Sequence, residues 1–218
     1  MRSASRVHTC PEGGLVVRTS RTLVVMGLCL LGASSVARAQ GAGGSITVTA
    51  CVPCHGGGAA AAPGSPAFPT LDGQQAAYLD KQLREYKSGK RKSAIMAPVI
   101  AALKKQQISA MAAHFASQTP ARSAVENPEL AARGKTLYEE GNRATGVPAC
   151  VGCHLSNGVG HQRYPRLAGQ RQAYVVQQLA EFKSGARNND RAHVMRALAS
   201  RLTDEDIKAV AEYLAGLQ

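Results

Sequence analysis

A five-residue string that occurs twice, Cys51-Val52-Pro53-Cys54-His55 and Cys150-Val151-Gly152-Cys153-His154, constrains this chain more than any other feature. Each copy sets two thiols one helical turn apart with an imidazole beside them, the groups that hold a c-type haem through two thioethers and one axial nitrogen. A single Cys-x-x-Cys also reads as a thioredoxin-like dithiol or half of a zinc site, and two pairs could share one zinc. The zinc reading leaves both histidines unexplained. The complete string, met twice, favours two covalent haems.

The strings belong to a longer repeat. Cys51 and Cys150 are 99 residues apart; Pro69 and Pro165, Gly73 and Gly169, Tyr78 and Tyr174, and Gly89 and Gly185 are each 96 apart; Met96 and Met195, and Ile108 and Ile207, return to 99. Three residues lost in one loop and regained in another mark two copies of one unit. With 4% aromatic residues and no Trp in 218 residues, two protein cores of this size would be thin. Small domains need something beyond side chains to fill them, and a buried porphyrin in each suffices.

Arg18 and Arg21 precede an apolar run beginning Leu23-Val24-Val25-Met26, which leads to Ala37-Arg38-Ala39 before Gln40. That order reads as a secretory signal over residues 1–39, too short to span a bilayer comfortably. Leu28 before Cys29 is not the small residue a lipoprotein site needs. Cys10 and Cys29 leave with the signal, so the four string cysteines remain and no structural disulfide is expected. The net charge of +12 falls by 4 to +8 on cleavage. Export argues against nucleic acid, and Lys81, Arg84, Lys87, Lys90, Arg91, Lys92, Lys104 and Lys105 suit either an acidic docking partner or a plain solvated face.

Residues 40–49 are Gly-rich with no room for a full helix, and the glycines and alanines at 56–64 read as a loop beside the first haem. They lack the Lys and Ser or Thr of a phosphate loop. The spacing of Ala77, Leu79, Leu83 and Tyr86 predicts a helix ending near Gly89. Met96-Ala97-Pro98 is expected to be irregular, because Pro98 disfavours helix at Ala97. A helix follows over about residues 106–115. Residues 119–127 suit a linker between a first domain at 40–118 and a second at 128–218. Asn127-Pro128 starts a helix toward Gly141, another carries Tyr174 to Phe182 and stops near Gly185, and Thr203 with Asp206 caps the last one.

A haem held by histidine on one face still needs an occupant on the other, and the repeated candidate is methionine. Met96 and Met195 are equivalent, whereas Met111 lies on an apolar helix face and reads as core. A thioether favours the ferrous iron and raises the potential. His161 and His193 have no histidine counterpart in the first half and read as exposed or locally bonded; His114 reads as partly buried packing.

The two strings, Phe-Pro-x-Leu-x-Gly-Gln at Phe68 and Tyr-Pro-x-Leu-x-Gly-Gln at Tyr164, Phe-Lys-Ser-Gly at Phe182 and the late methionines together resemble the dihaem cytochrome c4 family, over residues 49–217. The resemblance implies an all-α fold, a tandem repeat of two class I cytochrome c domains with covalent haems. It implies His55 and His154 as proximal ligands, Met96 and Met195 as distal ligands, and the carbonyls of Pro69 and Pro165 as acceptors from the two imidazoles. Two departures stand out: no substantial helix before Cys51, where the second half has one, and a more basic Gly89-Lys90-Arg91-Lys92-Ser93. They predict a less clamped first domain and unequal haem potentials. The function implied is a periplasmic, non-enzymatic electron carrier from a quinol-oxidising complex or dehydrogenase to a terminal oxidase. Membrane association is left open through the partner or an uncleaved signal. The alternative is the cytochrome subunit of a dihaem redox enzyme, or the enzyme itself, such as an alcohol or thiosulfate dehydrogenase; once the haems take their four cysteines, none is left for an unusual ligand.

Overall fold

A computed structural model describes residues 48–56, 67–120 and 122–218, all within one compact unit. The expected signal and most of both Gly-rich stretches lie outside the described residues. Among these residues the regular structure is helical, with isolated bridges at Asn142–Val147 and His161–Tyr164. Helices α1 (Val52–His55), α2 (Ala76–Lys87), α3 (Met96–Ala101) and α4 (Lys105–Ala116) make the first half. Helix α5 (Pro128–Glu140) then precedes α6 (Val151–His154), α7 (Gln172–Ser184), α8 (Val194–Ala199) and α9 (Asp204–Gly216), which repeat α1 to α4 in order.

Local chemistry explains most boundaries. The Asn127 side chain accepts the Leu130 N–H at 3.0 Å, with Pro128 in the first turn, and Thr203 and Asp206 exchange reciprocal bonds of 3.0 Å at the start of α9. Gly185 ends α7 with φ +79°, a conformation that needs no Cβ. One expectation is corrected: Met96-Ala97-Pro98 is helical. Pro98 is the third residue of α3, where its missing N–H would have had no acceptor within the helix, and the Ala97 N–H reaches Ser93 O at 3.0 Å.

Helices α5 and α9 pack more extensively than any other pair among the described residues. Gly134 makes their crossing close: a Cβ there would lie 1.9 Å from the Ala209 carbonyl oxygen. Around that crossing the second half builds one continuous core containing Leu137, Tyr138, Val175, Leu202, Ile207, Val210 and Leu214. The first half has two clusters, one of Leu79, Ala112 and Phe115, the other of Ile100, Leu103 and Ile108. Glu212, buried in α9, accepts the backbone N–H groups of Glu126 and Asn127, and so ties the segment between the halves to the second.

Candidate functional site

Each string folds as a single helical turn that ends in a buried histidine. His55 Nδ1 donates to Pro69 O at 2.9 Å, and His154 Nδ1 to Pro165 O at 3.1 Å. Phe68 and Tyr164 meet the two rings edge-on, each with centroids 5.9 Å apart. With Nδ1 committed, each imidazole keeps Nε2 for a metal, and the carbonyl fixes ring orientation. Burial lowers the pKa of both rings, against the opposing pull of the proline carbonyls. A neutral ring is the ligating form.

Cys51, Cys150 and Cys153 are half-buried and Cys54 is exposed, and none of the four is in a disulfide. Burial pushes Cys51 up and Cys150 up to about 11, with the neighbouring string cysteine adding to each. A thioredoxin-type nucleophile needs the opposite shift. Among the described residues, which include all four cysteines, no group of three or more His, Cys, Asp and Glu could hold a metal ion, so the shared zinc centre has no geometry to support it.

Met96 opens α3, half-buried against Ile100, Leu103 and Ile108, and Met195 lies half-buried in the first turn of α8. The two segments are held differently. Ser93 Oγ accepts the Met96 N–H at 3.0 Å. In the second half Asp190, its side chain 3% exposed, accepts Arg196 N at 3.1 Å and Arg196 Nε at 2.7 Å. Between them Ala192 and His193 adopt φ +50° and +62°, left-handed values uncommon away from glycine. His161 and His193 are exposed, His114 is half-buried and Met111 is core.

The two halves meet directly beside these sites. Gln170 accepts Thr70 N at 2.9 Å and donates to Thr70 O at 3.0 Å; Gln74 accepts Arg166 N at 2.7 Å and donates to Arg166 O at 2.9 Å. Thr70 and Arg166 each follow the proline that holds a histidine. Each half therefore grips the other's proline segment through a glutamine.

Further in, Arg91 donates to Gln82 Oε1 (2.8 Å), Gln178 Oε1 (2.7 Å) and Tyr174 OH (3.0 Å), and Arg187 to Gln178 Oε1 (2.7 Å) and Tyr78 OH (3.0 Å). Burial alone would raise Tyr78, yet the charges of Arg187 and Arg91 outweigh it and lower its pKa. Arg91 is 6% exposed, which corrects its place in the basic surface: its hydrogen bonds and its position over the Tyr86 ring hold it in the contact. Sequence reasoning missed this polar layer. The 96-residue register repeated in Gln74 and Gln170, Gln82 and Gln178, and Arg91 and Arg187 was the available signal.

The donor set fits two haems. Two buried guanidiniums bring positive charge to the contact, and among the described residues the buried Nε of Arg166 is without a hydrogen-bond partner, as a site for an anionic group requires. No helix among the described residues is long and apolar enough to cross a membrane.

Comparison with known proteins agrees with this geometry. The cytochrome c family model matches residues 42–119 and again 131–218. Cytochrome c4 of Azotobacter vinelandii is 39% identical over 213 residues, 91% of this chain and 99% of that protein. A thiosulfate dehydrogenase electron acceptor of Thiomonas intermedia is 34% identical over 168 residues, 76% of this chain and 77% of its own. The crystal structure of reduced recombinant cytochrome c4 from Pseudomonas stutzeri superposes with a TM-score of 0.73 at 38% identity, covering 78% of this chain and 95% of that one.

Proposed function

The chain belongs to the dihaem cytochrome c4 family, and on that footing we propose that it is a periplasmic electron carrier between a quinol-oxidising complex or dehydrogenase and a terminal oxidase. The observation that carries this reading is the duplication of one histidine setting: two buried imidazoles on two proline carbonyls, with each proline segment gripped by the other half. Cys51, Cys54, Cys150 and Cys153 attach the haems. His55 with Met96, and His154 with Met195, are the residues that would ligate the two haem irons. When bound, each haem supplies a one-electron ferric/ferrous couple. The protein orients the ligands, excludes water and holds the two redox centres in one frame. Arg91, Arg187 and Arg166 supply positive charge for haem propionates. The mature domains run over 40–118 and 128–218, joined by 119–127 after a signal at 1–39. This role needs no proton transfer and no substrate-accessible iron, so the chain is a carrier and not an enzyme.

Similarity to a thiosulfate dehydrogenase electron acceptor favours a second reading that differs only in partner, a carrier dedicated to one dehydrogenase. Spectroelectrochemical titration of the haem-loaded protein tests the ligand set. Two one-electron steps are expected, with the methionine-to-iron absorption band present for both oxidised haems. A haem without that band, or one that binds carbon monoxide readily when reduced, would overturn the closed His-Met assignment and reopen an enzymatic role.

A further inference from the structure

Arg171 stands just before α7 in the second half, yet its guanidinium works in the first. Nη1 donates to Phe68 O at 3.0 Å and Cys54 O at 3.2 Å, and Nη2 to Gly56 O at 3.1 Å. Cys54 and Gly56 flank His55 in sequence. Phe68 precedes Pro69, whose carbonyl holds the His55 ring. One side chain therefore ties together the two backbone segments that position this histidine.

The repeat pairs Arg171 with Gln75, 96 residues earlier. Gln75 Nε2 donates to Val159 O at 3.0 Å, in the loop after His154. At this position the pseudo-symmetric contact puts a cation beside the first histidine and a neutral amide near the second, while Arg166, which follows Pro165 and is opposite Thr70, is the converse case. A guanidinium stays charged at any working pH, so this difference is permanent.

We propose that Arg171 raises the reduction potential of the first-half haem from across the domain contact, so that the order in which the two haems take electrons is partly set by a residue of the opposite half. The inference rests on the two-haem reading above. Reduction removes one positive charge from the iron site, and a fixed cation nearby favours the reduced form. At the effective dielectric of a half-buried site, one such charge shifts a one-electron equilibrium on the order of tenfold, equivalent to about 59 mV. Gln75 exerts no comparable bias on the second haem.

Arg171→Gln, Arg171→Lys and the reciprocal Gln75→Arg, each in the full haem-loaded chain, test this. Both potentials are read by spectroelectrochemistry, and each haem is assigned through its own methyl resonances in NMR spectra of partly reduced samples. Arg171→Gln should lower the first-half potential by about the tenfold shift and leave the second in place, while Arg171→Lys retains most of the effect. Unchanged potentials, equal shifts of both haems, or a Lys variant that falls as far as the Gln variant would overturn the proposal. If Arg171→Gln cannot hold its first haem, Gln75→Arg decides: a rise in the second-half potential supports a charge effect, and no rise sinks it. Counting two haems and two methionine bands in the unmodified protein checks the underlying two-haem reading separately.

Discussion

The two halves hold their histidines alike on frameworks that differ. In the second, α5 lies across α9 and Ala209 is 2% exposed; in the first, Ala110 at the equivalent place on α4 is exposed. The second core is continuous, whereas the first is split into two clusters. Yet the His–Pro bonds differ by only 0.2 Å, 2.9 against 3.1 Å. Ligand geometry therefore follows from the string, the proline segment and the reciprocal glutamines, while the helix crossing governs how firmly each half is clamped.

The largest expected effect comes from breaking that crossing. Alanine in place of Gly134 gains roughly 1 kcal/mol of helix propensity, but its Cβ meets backbone at 1.9 Å, with no rotamer to escape through. Overpacking wins, and Gly134→Ala should destabilise the second half by about 3 kcal/mol. Denaturant unfolding of the haem-loaded protein, followed separately at each haem, checks this. Equal losses in both halves would show that the crossing stabilises the whole contact and not the second half alone.

The sequence displays the parts of this architecture whose partners are local. The strings, the acceptors Pro69 and Pro165, the Asn127 cap and the Thr203–Asp206 box depend on short spacings or recur in both copies. The polar layer between the halves does not show in the same way. Gln82 and Gln178 break an apolar stripe, and each is bonded both by the arginine of its own half, nine residues on, and by that of the other copy, 105 and 87 residues away. Arg91 looks like one more lysine-run charge until the contact closes over it. Helix α3 was obscured for a different reason. Pro98 argues against helix in general but not within a first turn, where no backbone N–H is needed.

A second contrast lies in the segments that carry the methionines. Asp190 is buried against Arg196, and although burial alone would raise its carboxyl, the Arg196 hydrogen bonds and charge prevail and hold the pKa below the ordinary carboxylate range. A depressed native pKa contributes stability that is present above the unfolded value, about 3.9, and is lost as pH falls through the native one. Acidification below about pH 4 should therefore loosen the Met195 segment before the Met96 segment, whose Ser93 bond is neutral. The methionine-to-iron band assigned to the second haem should fade first. Asp190→Ala should reproduce the loss at neutral pH and cost about 1 kcal/mol, since it removes the charge-assisted bonds of the half-buried Arg196. Simultaneous fading of the two bands on acidification would break the contrast.

The Ser93 bond is the smallest term and sharpens the comparison most narrowly. Its hydroxyl satisfies a first-turn N–H of α3, a group that water could otherwise reach, so Ser93→Ala should cost only about 0.5 kcal/mol. Met96 also packs against Ile100, Leu103 and Ile108, and that contact survives the substitution. The expected result is a slightly earlier loss of the first-half methionine band in denaturant, with the second-half transition unmoved. If the first band instead disappears in native conditions, the hydroxyl is what keeps Met96 in place. The half without the buried aspartate would then depend on a single neutral hydrogen bond for its methionine segment, and apolar packing around α3 would be too weak to hold it.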